Sequence, residues 1–171
     1  MKLPSKLPNN YFKKISKTPI KIKLYNKKYE KIVNEVLKRL NVVLGKIKVK
    51  AIPIGATALK ISGKGDIDFG VYIKEEKWDE TLKVLINYFK GIKTLNSKGF
   101  AKFSGFYKGY EVEVVVRKGD SALRDKKLLS YLKKHPKAIK EYENLKKKFA
   151  FSAREYAIQK NNFLRKVIAR I

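Results

Sequence analysis

Two aspartates one residue apart, Asp66 and Asp68, lie in the segment IPIGATALKISGKGDIDFGVYI, residues 52–73, with a nine-residue spacer separating them from Gly55-Ala56. On a β-strand, positions i and i+2 project to the same side, so the two carboxylates stand together. Like charges held that close repel unless a cation lies between them. Their hard oxygen ligands suit Mg²⁺ or Mn²⁺, ions that also bind substrate phosphates. Ile67 and Phe69 point the other way and anchor the strand in a core. Upstream, Gly55 permits close backbone approach, and the short helix expected after it offers free N–H groups to an anion. An acidic pair facing an anion-binding turn is the chemistry of a metal–nucleotide site.

A third carboxylate is expected from a neighbouring strand. The run Tyr110-Glu111-Val112-Glu113-Val114-Val115-Val116 places Glu111 and Glu113 on one face. Glu113 is flanked by valines, and a carboxylate in so apolar a strand is costly to bury without a partner such as a metal ion. Glu113 is therefore favoured over Glu111.

These residues need strands beneath them and helices behind. Residues 26–44 place Tyr29, Ile32, Val33, Val36, Leu37 and Leu40 at helical spacing, and Gly45 marks the end. Strands are expected over 47–54 and 66–73, a helix over 77–90, and a hairpin of 99–107 with 110–117 about Lys108-Gly109. From Ser121 the pattern is helical, broken at His135-Pro136. Residues 1–25, with Pro4, Pro8, Pro19 and many lysines, read as an extended arm. The expected class is α+β (mixed α/β): a mixed sheet flanked by helices, with a core over 1–120 and a helical part over 121–171 packed on it as one unit.

The 171 residues suit one domain. Zero cysteines remove disulfides and thiolate chemistry, and the single His135 rules out a histidine metal cage. His135 precedes Pro136 and reads as a turn organiser. The net charge is +27. Residues 1–50 carry 15 basic and 2 acidic side chains, and residues 117–171 carry 17 and 5, around a nearly neutral middle. Lysine makes up 36 of the 42 basic residues, which favours attraction to phosphates over reading of bases. RNA or another polyanion is the expected partner of the basic ends. No stretch approaches the roughly 20 apolar residues of a membrane span, and the N-terminus lacks the apolar run of a secretory signal. A cytoplasmic protein without a membrane partner is expected.

Ile54-Gly55-Ala56, the nine-residue spacer and Asp66-Ile67-Asp68-Phe69 resemble the signature of the nucleotidyltransferase (polymerase beta-like) superfamily. A closer resemblance is to its GrpB-like branch. Gly55-Ala56-Thr57-Ala58-Leu59 is similar to that family's Gly-Ser-Thr-Ala-Val, and Lys64 falls where it has a lysine before the aspartate. Tyr131-Leu132-Lys133-Lys134-His135-Pro136 resembles its Tyr-Leu-Arg-x-His-Pro. Tyr142, Leu145-Lys146, Tyr156, Lys160 and Phe163-Leu164 continue the match. The departures are Ala56 in place of serine, which removes a hydroxyl that Thr57 or backbone amides would replace, a spacer without Pro-Gly, and Leu129-Ser130 in place of Arg-Asp.

The resemblance implies a metal-dependent nucleotidyltransferase that moves a nucleotidyl group from a nucleoside triphosphate, with ATP as the default donor, to a hydroxyl acceptor. Asp66, Asp68 and Glu113 would be the catalytic metal ligands for Mg²⁺ or Mn²⁺. Gly55, Ala56, Thr57 and Lys64 would hold the phosphates, with Lys60 in reach of them. Phe100, Phe103, Phe106, Tyr107 and Tyr110 fit core packing better than base stacking. The alternative reading is a non-catalytic RNA- or polyanion-binding module on the same scaffold.

Overall fold

In the computed structural model, residues 9–96 and 99–171 are described; the first eight residues of the expected arm lie outside them. Five strands form one sheet in the order β1-β2-β5-β4-β3, where β1 is Ala51–Ile54, β2 Ile67–Ile73, β3 Thr94–Asn96, β4 Phe100–Tyr107 and β5 Tyr110–Lys118. The β2–β5 pair is parallel and the other three are antiparallel. The expected mixed sheet with helices is what forms.

Alternation along the strands divides the sheet into two faces. Ile67, Phe69 and Val71 of β2, Val112, Val114 and Val116 of β5, and Ala101 and Phe103 of β4 all point to one side and are buried. Helix α2 (Lys28–Gly45) covers this side with Ile32, Val33, Val36, Leu40 and Leu44, which recur at helical spacing. Helix α4 (Trp78–Phe89) adds Leu85, fully buried. Burying a side chain of this size contributes about 2–3 kcal/mol, so the two phenylalanines at the sheet centre, Phe69 and Phe103, are among its main supports.

The opposite face carries Asp68, Glu111, Glu113, Lys102, Ser104 and Phe106, and the helical part meets it. Helices α5 (Gly119–Lys134), α6 (Pro136–Lys148) and α7 (Ala153–Ile168) build a second core from Leu132, Tyr142, Phe163 and Val167 around Leu59 and Ile61. An Arg117 Nε–Asp125 Oδ2 ion pair at 2.5 Å ties α5 to β5.

Several elements differ from the sequence expectation. The first strand begins at Ala51, not residue 47, because Lys48 takes a left-handed backbone (φ 56°) that interrupts an extended run. Gly45 is the last residue of α2, and the left-handed position falls at Lys48 instead. The edge strand β3 is too short to show as a pattern. A further break at 149–152 separates α6 from α7, with Ser152 capping α7 by accepting from the Glu155 N–H. The hairpin turn Lys108-Gly109 has both residues at positive φ, as a two-residue hairpin needs.

The basic arm holds a short helix, α1 (Asn9–Lys13), and then runs extended. Hydrogen bonds hold it at intervals along its course. Arg154 Nε and Nη2 donate to the carbonyls of Ile15 (3.0 Å) and Lys13 (2.7 Å), and Ala153 N–H donates to Thr18 O (2.8 Å). Further on, Lys23 and Gly63 exchange two backbone hydrogen bonds, of 2.7 and 3.0 Å. The arm thus ends against the loop that precedes Asp66.

Candidate active site

Asp68 stands near the start of β2, where the register sets it beside Glu113 of β5 and opposite Ile54 of β1. Asp66 immediately precedes that strand. One carboxylate oxygen from each of Asp66, Asp68 and Glu113 lies within 4.8 Å of the other two. Glu113 is buried within the apolar strand, whereas Glu111, one pair further out, has a side chain 42% exposed. Burial first and the neighbouring Asp66 second push the Asp68 carboxyl up to about 6. A site that resists the charged form of a carboxylate is one a cation would relieve, and an all-oxygen donor set of this kind fits Mg²⁺ or Mn²⁺.

Lysines flank the acids. Lys64 Nζ lies 3.2 Å from Asp66 Oδ2. Lys93 and Lys102 reach Glu113 at 3.2 and 2.5 Å, and Lys93 also reaches Glu111 at 3.4 Å. Lys60 is turned away from the acids and pairs with Glu30 at 2.9 Å.

The turn before the acids is shaped by close approach. Gly55 has φ +69°, and a Cβ there would sit 2.1 Å from Asp68 Oδ2, so no side chain fits between this turn and the carboxylate. The residues Gly55–Ala58 form a single helical turn, α3. Ala56 faces Gly63, where a Cβ would come within 2.7 Å of its own. Thr57 donates its hydroxyl to the Asp66 carbonyl at 3.2 Å and so fixes the entry to β2.

The spacer loop is fastened to α6 at one residue. Glu143 accepts from both the N–H (2.9 Å) and the hydroxyl (2.6 Å) of Ser62, and these bonds hold its carboxyl down at about 2. Lys146 donates to the Ser62 carbonyl at 2.6 Å. It is 2% exposed, and burial pushes its ammonium down to about 8. Lys160 of α7 is shifted the other way, upward, by Tyr142 and, after the opposing effect of burial, by Tyr156, Asp68 and Asp66. Both ammonium groups of the helical part are within electrostatic reach of Asp66 and Asp68.

Reading by residue type singles out neither lysine for a role, and it also passes over Lys93 and Lys102. A signal for the first two exists. Lys146 follows Tyr142, and Lys160 follows Tyr156, by four residues on a helix, which puts each ammonium one turn from a buried phenol. Lys93 and Lys102 leave no such trace, because only the sheet register brings them to Glu113.

The other candidates have local positions. His135 Nδ1 is 2.7 Å from the Tyr131 carbonyl and its ring stacks on Tyr131 at 3.8 Å. Phe103 is fully buried, Phe100 lies under the Arg117 guanidinium, and Tyr110 packs edge-on against Tyr29. Phe106 alone among these aromatics is open, at 81% exposure.

No curated protein matches the chain. Among solved structures, the conserved protein GrpB from Enterococcus faecalis superposes with a TM-score of 0.70 at 22% identity, covering 88% of this chain and 96% of that one. The GLD-2/RNP-8 complex gives 0.52 at 12% identity, covering 81% and 56%. The Cid1 poly(U) polymerase with Mg and 3′-dATP bound gives 0.50 at 13% identity, covering 80% and 42%. These likenesses show a nucleotidyltransferase-like fold. The family model described as GrpB protein matches residues 19–170, and the chain belongs to that family.

Proposed function

We propose that the chain is a metal-dependent nucleotidyltransferase that moves a nucleotidyl group from a nucleoside triphosphate, with ATP as the donor, to a hydroxyl acceptor. The observation that carries this reading is the convergence of Asp66, Asp68 and Glu113 within 4.8 Å, against the close-packed turn at Gly55. Three converging acids suit a ligand that is a polyphosphate carrying divalent cations.

Asp66, Asp68 and Glu113 would hold Mg²⁺ or Mn²⁺, which when bound lowers the pKa of the acceptor hydroxyl and neutralises charge on the phosphates. The acceptor oxygen forms a bond to the α-phosphorus as the bond from that phosphorus to the bridging oxygen breaks. The electron pair leaves with pyrophosphate, and the hydroxyl proton passes to water. Lys160, with the backbone of Gly55, Ala56 and Thr57, would hold the departing phosphates. Lys64 would exchange its Asp66 partner for a phosphate oxygen.

Calorimetry with Mn²⁺ and a nonhydrolysable ATP analogue tests this. Binding is expected in the parent protein and is expected to vanish in Asp66→Asn/Asp68→Asn while the fold persists. Equal binding by the double variant would remove the site assignment.

One observation favours the second reading, a polyanion-binding module. Asp66 and Glu113 are already paired with Lys64, Lys93 and Lys102, so the acids repel a nucleic acid less than bare carboxylates would. RNA affinity unchanged by Mn²⁺ and by the Asp66→Asn/Asp68→Asn exchange, without nucleotide binding, is the outcome that would favour it.

A further inference from the structure

The acceptor side of the site has a structure of its own. Along β4, Lys102, Ser104 and Phe106 share the face that carries Glu113, and Phe106 pairs directly with Glu111. Ser104 pairs with Glu113, so the Phe106 row lies two strand positions further out, about 7 Å away. That is one nucleotide step of an extended chain. At 81% exposure Phe106 presents an open ring, and single-stranded bases stack on such rings whatever their identity.

Past Phe106, on the other face of the sheet, which α2 and α4 cover, lies a groove of about 280 Å³ lined by Val36, Arg39, Phe89, Tyr107 and Val112. The Arg39 guanidinium lies 4.9 Å over the Tyr107 ring. That groove faces away from Glu113, so Phe106 is the open ring on the acids' own face.

The charges around Glu113 are arranged to change partners. Lys93 and Lys102 both sit on Glu113. A cation on the three carboxylates takes over the charge of Glu113 and leaves two ammonium groups for an anion on the same face. An open ring and an ammonium pair on one face suit the base and phosphate of a nucleotide chain, and the net charge of +27 attracts such a chain from a distance.

We propose that Lys93, Lys102 and Phe106 seat the 3′-terminal nucleotides of a single-stranded nucleic acid acceptor beside Glu113. This rests on the nucleotidyltransferase reading for what happens to the 3′ hydroxyl, but the seat itself is defined by binding alone.

The test is fluorescence anisotropy with labelled oligouridylate and oligothymidylate of about ten nucleotides, in chelator and in Mn²⁺. Mn²⁺ binding to the protein alone is followed by electron paramagnetic resonance. Phe106→Ala is expected to weaken binding about tenfold in both conditions and Phe106→Trp to restore it, as base–ring stacking demands. Mn²⁺ is expected to raise the affinity of the parent protein, and that gain is expected to disappear in Lys93→Gln/Lys102→Gln. Phe106→Ala binding as well as the parent would overturn the seat even if Mn²⁺ binds, and the transferase reading would stand. A tenfold loss in chelator together with no Mn²⁺ binding would support the seat and remove the metal reading. Tighter binding of an acidic peptide than of either oligonucleotide would overturn the choice of acceptor.

Discussion

Gly55 and Asp68 are 13 positions apart in sequence, yet a methyl group on the first would lie 2.1 Å from a carboxylate oxygen of the second. The antiparallel register of β1 and β2 sets Ile54 opposite Asp68, so the chain enters the turn directly over the acid. The turn and the carboxylate are thus one device. Its working parts are a backbone at φ +69° and an acid with no room to retreat.

Gly55→Ala is therefore expected to displace Asp68 as well as strain the turn. The strain alone costs about 1–3 kcal/mol. Mn²⁺ affinity is expected to fall at least as far as in Asp68→Asn, although no carboxylate has been removed. Retained Mn²⁺ affinity in a folded Gly55→Ala protein would separate the turn from the acid.

Asp68→Asn is expected to raise the melting temperature of the metal-free protein at neutral pH. The charged carboxylate is opposed there by burial and by Asp66, and an amide of the same shape removes both penalties. Differential scanning calorimetry in chelator measures this. A clear fall in melting temperature would mean that the acid supports the fold.

Glu143 contributes stability that depends on pH in the opposite sense. Its folded value, about 2, lies below the ordinary 4.5, so the stabilisation is complete above 4.5 and is lost as pH falls toward 2. Glu143→Gln is expected to cost about 1–3 kcal/mol near neutrality, since it weakens the two bonds to Ser62. Urea unfolding as a function of pH is expected to show the two proteins converging over that acid window.

Lys146 makes a third pH signature. With a folded value of about 8 against an ordinary 10.5, the folded chain releases this proton first, so folding becomes relatively more favourable as pH rises between those values. Lys146→Met lacks the group and is expected to lack that rise. Thermal unfolding of both proteins from about pH 7 to 10.5 measures the difference.

Much of this site is legible in the sequence, and the reason is locality. Asp66 and Asp68 share a strand end, Gly55 precedes them by a fixed spacer, and the valines around Glu113 announce a buried acid. Alternation alone separates Phe69 from Asp68. The rest depends on long-range register, which no local pattern carries. Lys93 and Lys102 reach Glu113 only because β4 pairs with β5 as it does, and the exposure of Phe106 among buried aromatics follows from which face the helices leave open. Lys146 and Lys160 stand among the residues that resemble the family, yet their charges gain meaning only when α6 and α7 fold back over the acids. The course of the arm is equally hidden, since it is set by Arg154 and Gly63, which are remote from it in sequence.

Nucleotidyl transfer at the triad is tested most directly by following a label. The protein is incubated with ATP labelled at the α-phosphate, Mg²⁺ and an oligonucleotide ending in a free 3′ hydroxyl. Label is expected to pass to the oligonucleotide, with release of unlabelled pyrophosphate, and to stop when Asp68 is changed to Asn or Mg²⁺ is chelated. Label transfer that survives in Asp68→Asn, or none to any hydroxyl-bearing acceptor from the parent protein while it binds Mn²⁺ and nucleotide, would contradict transfer at this site.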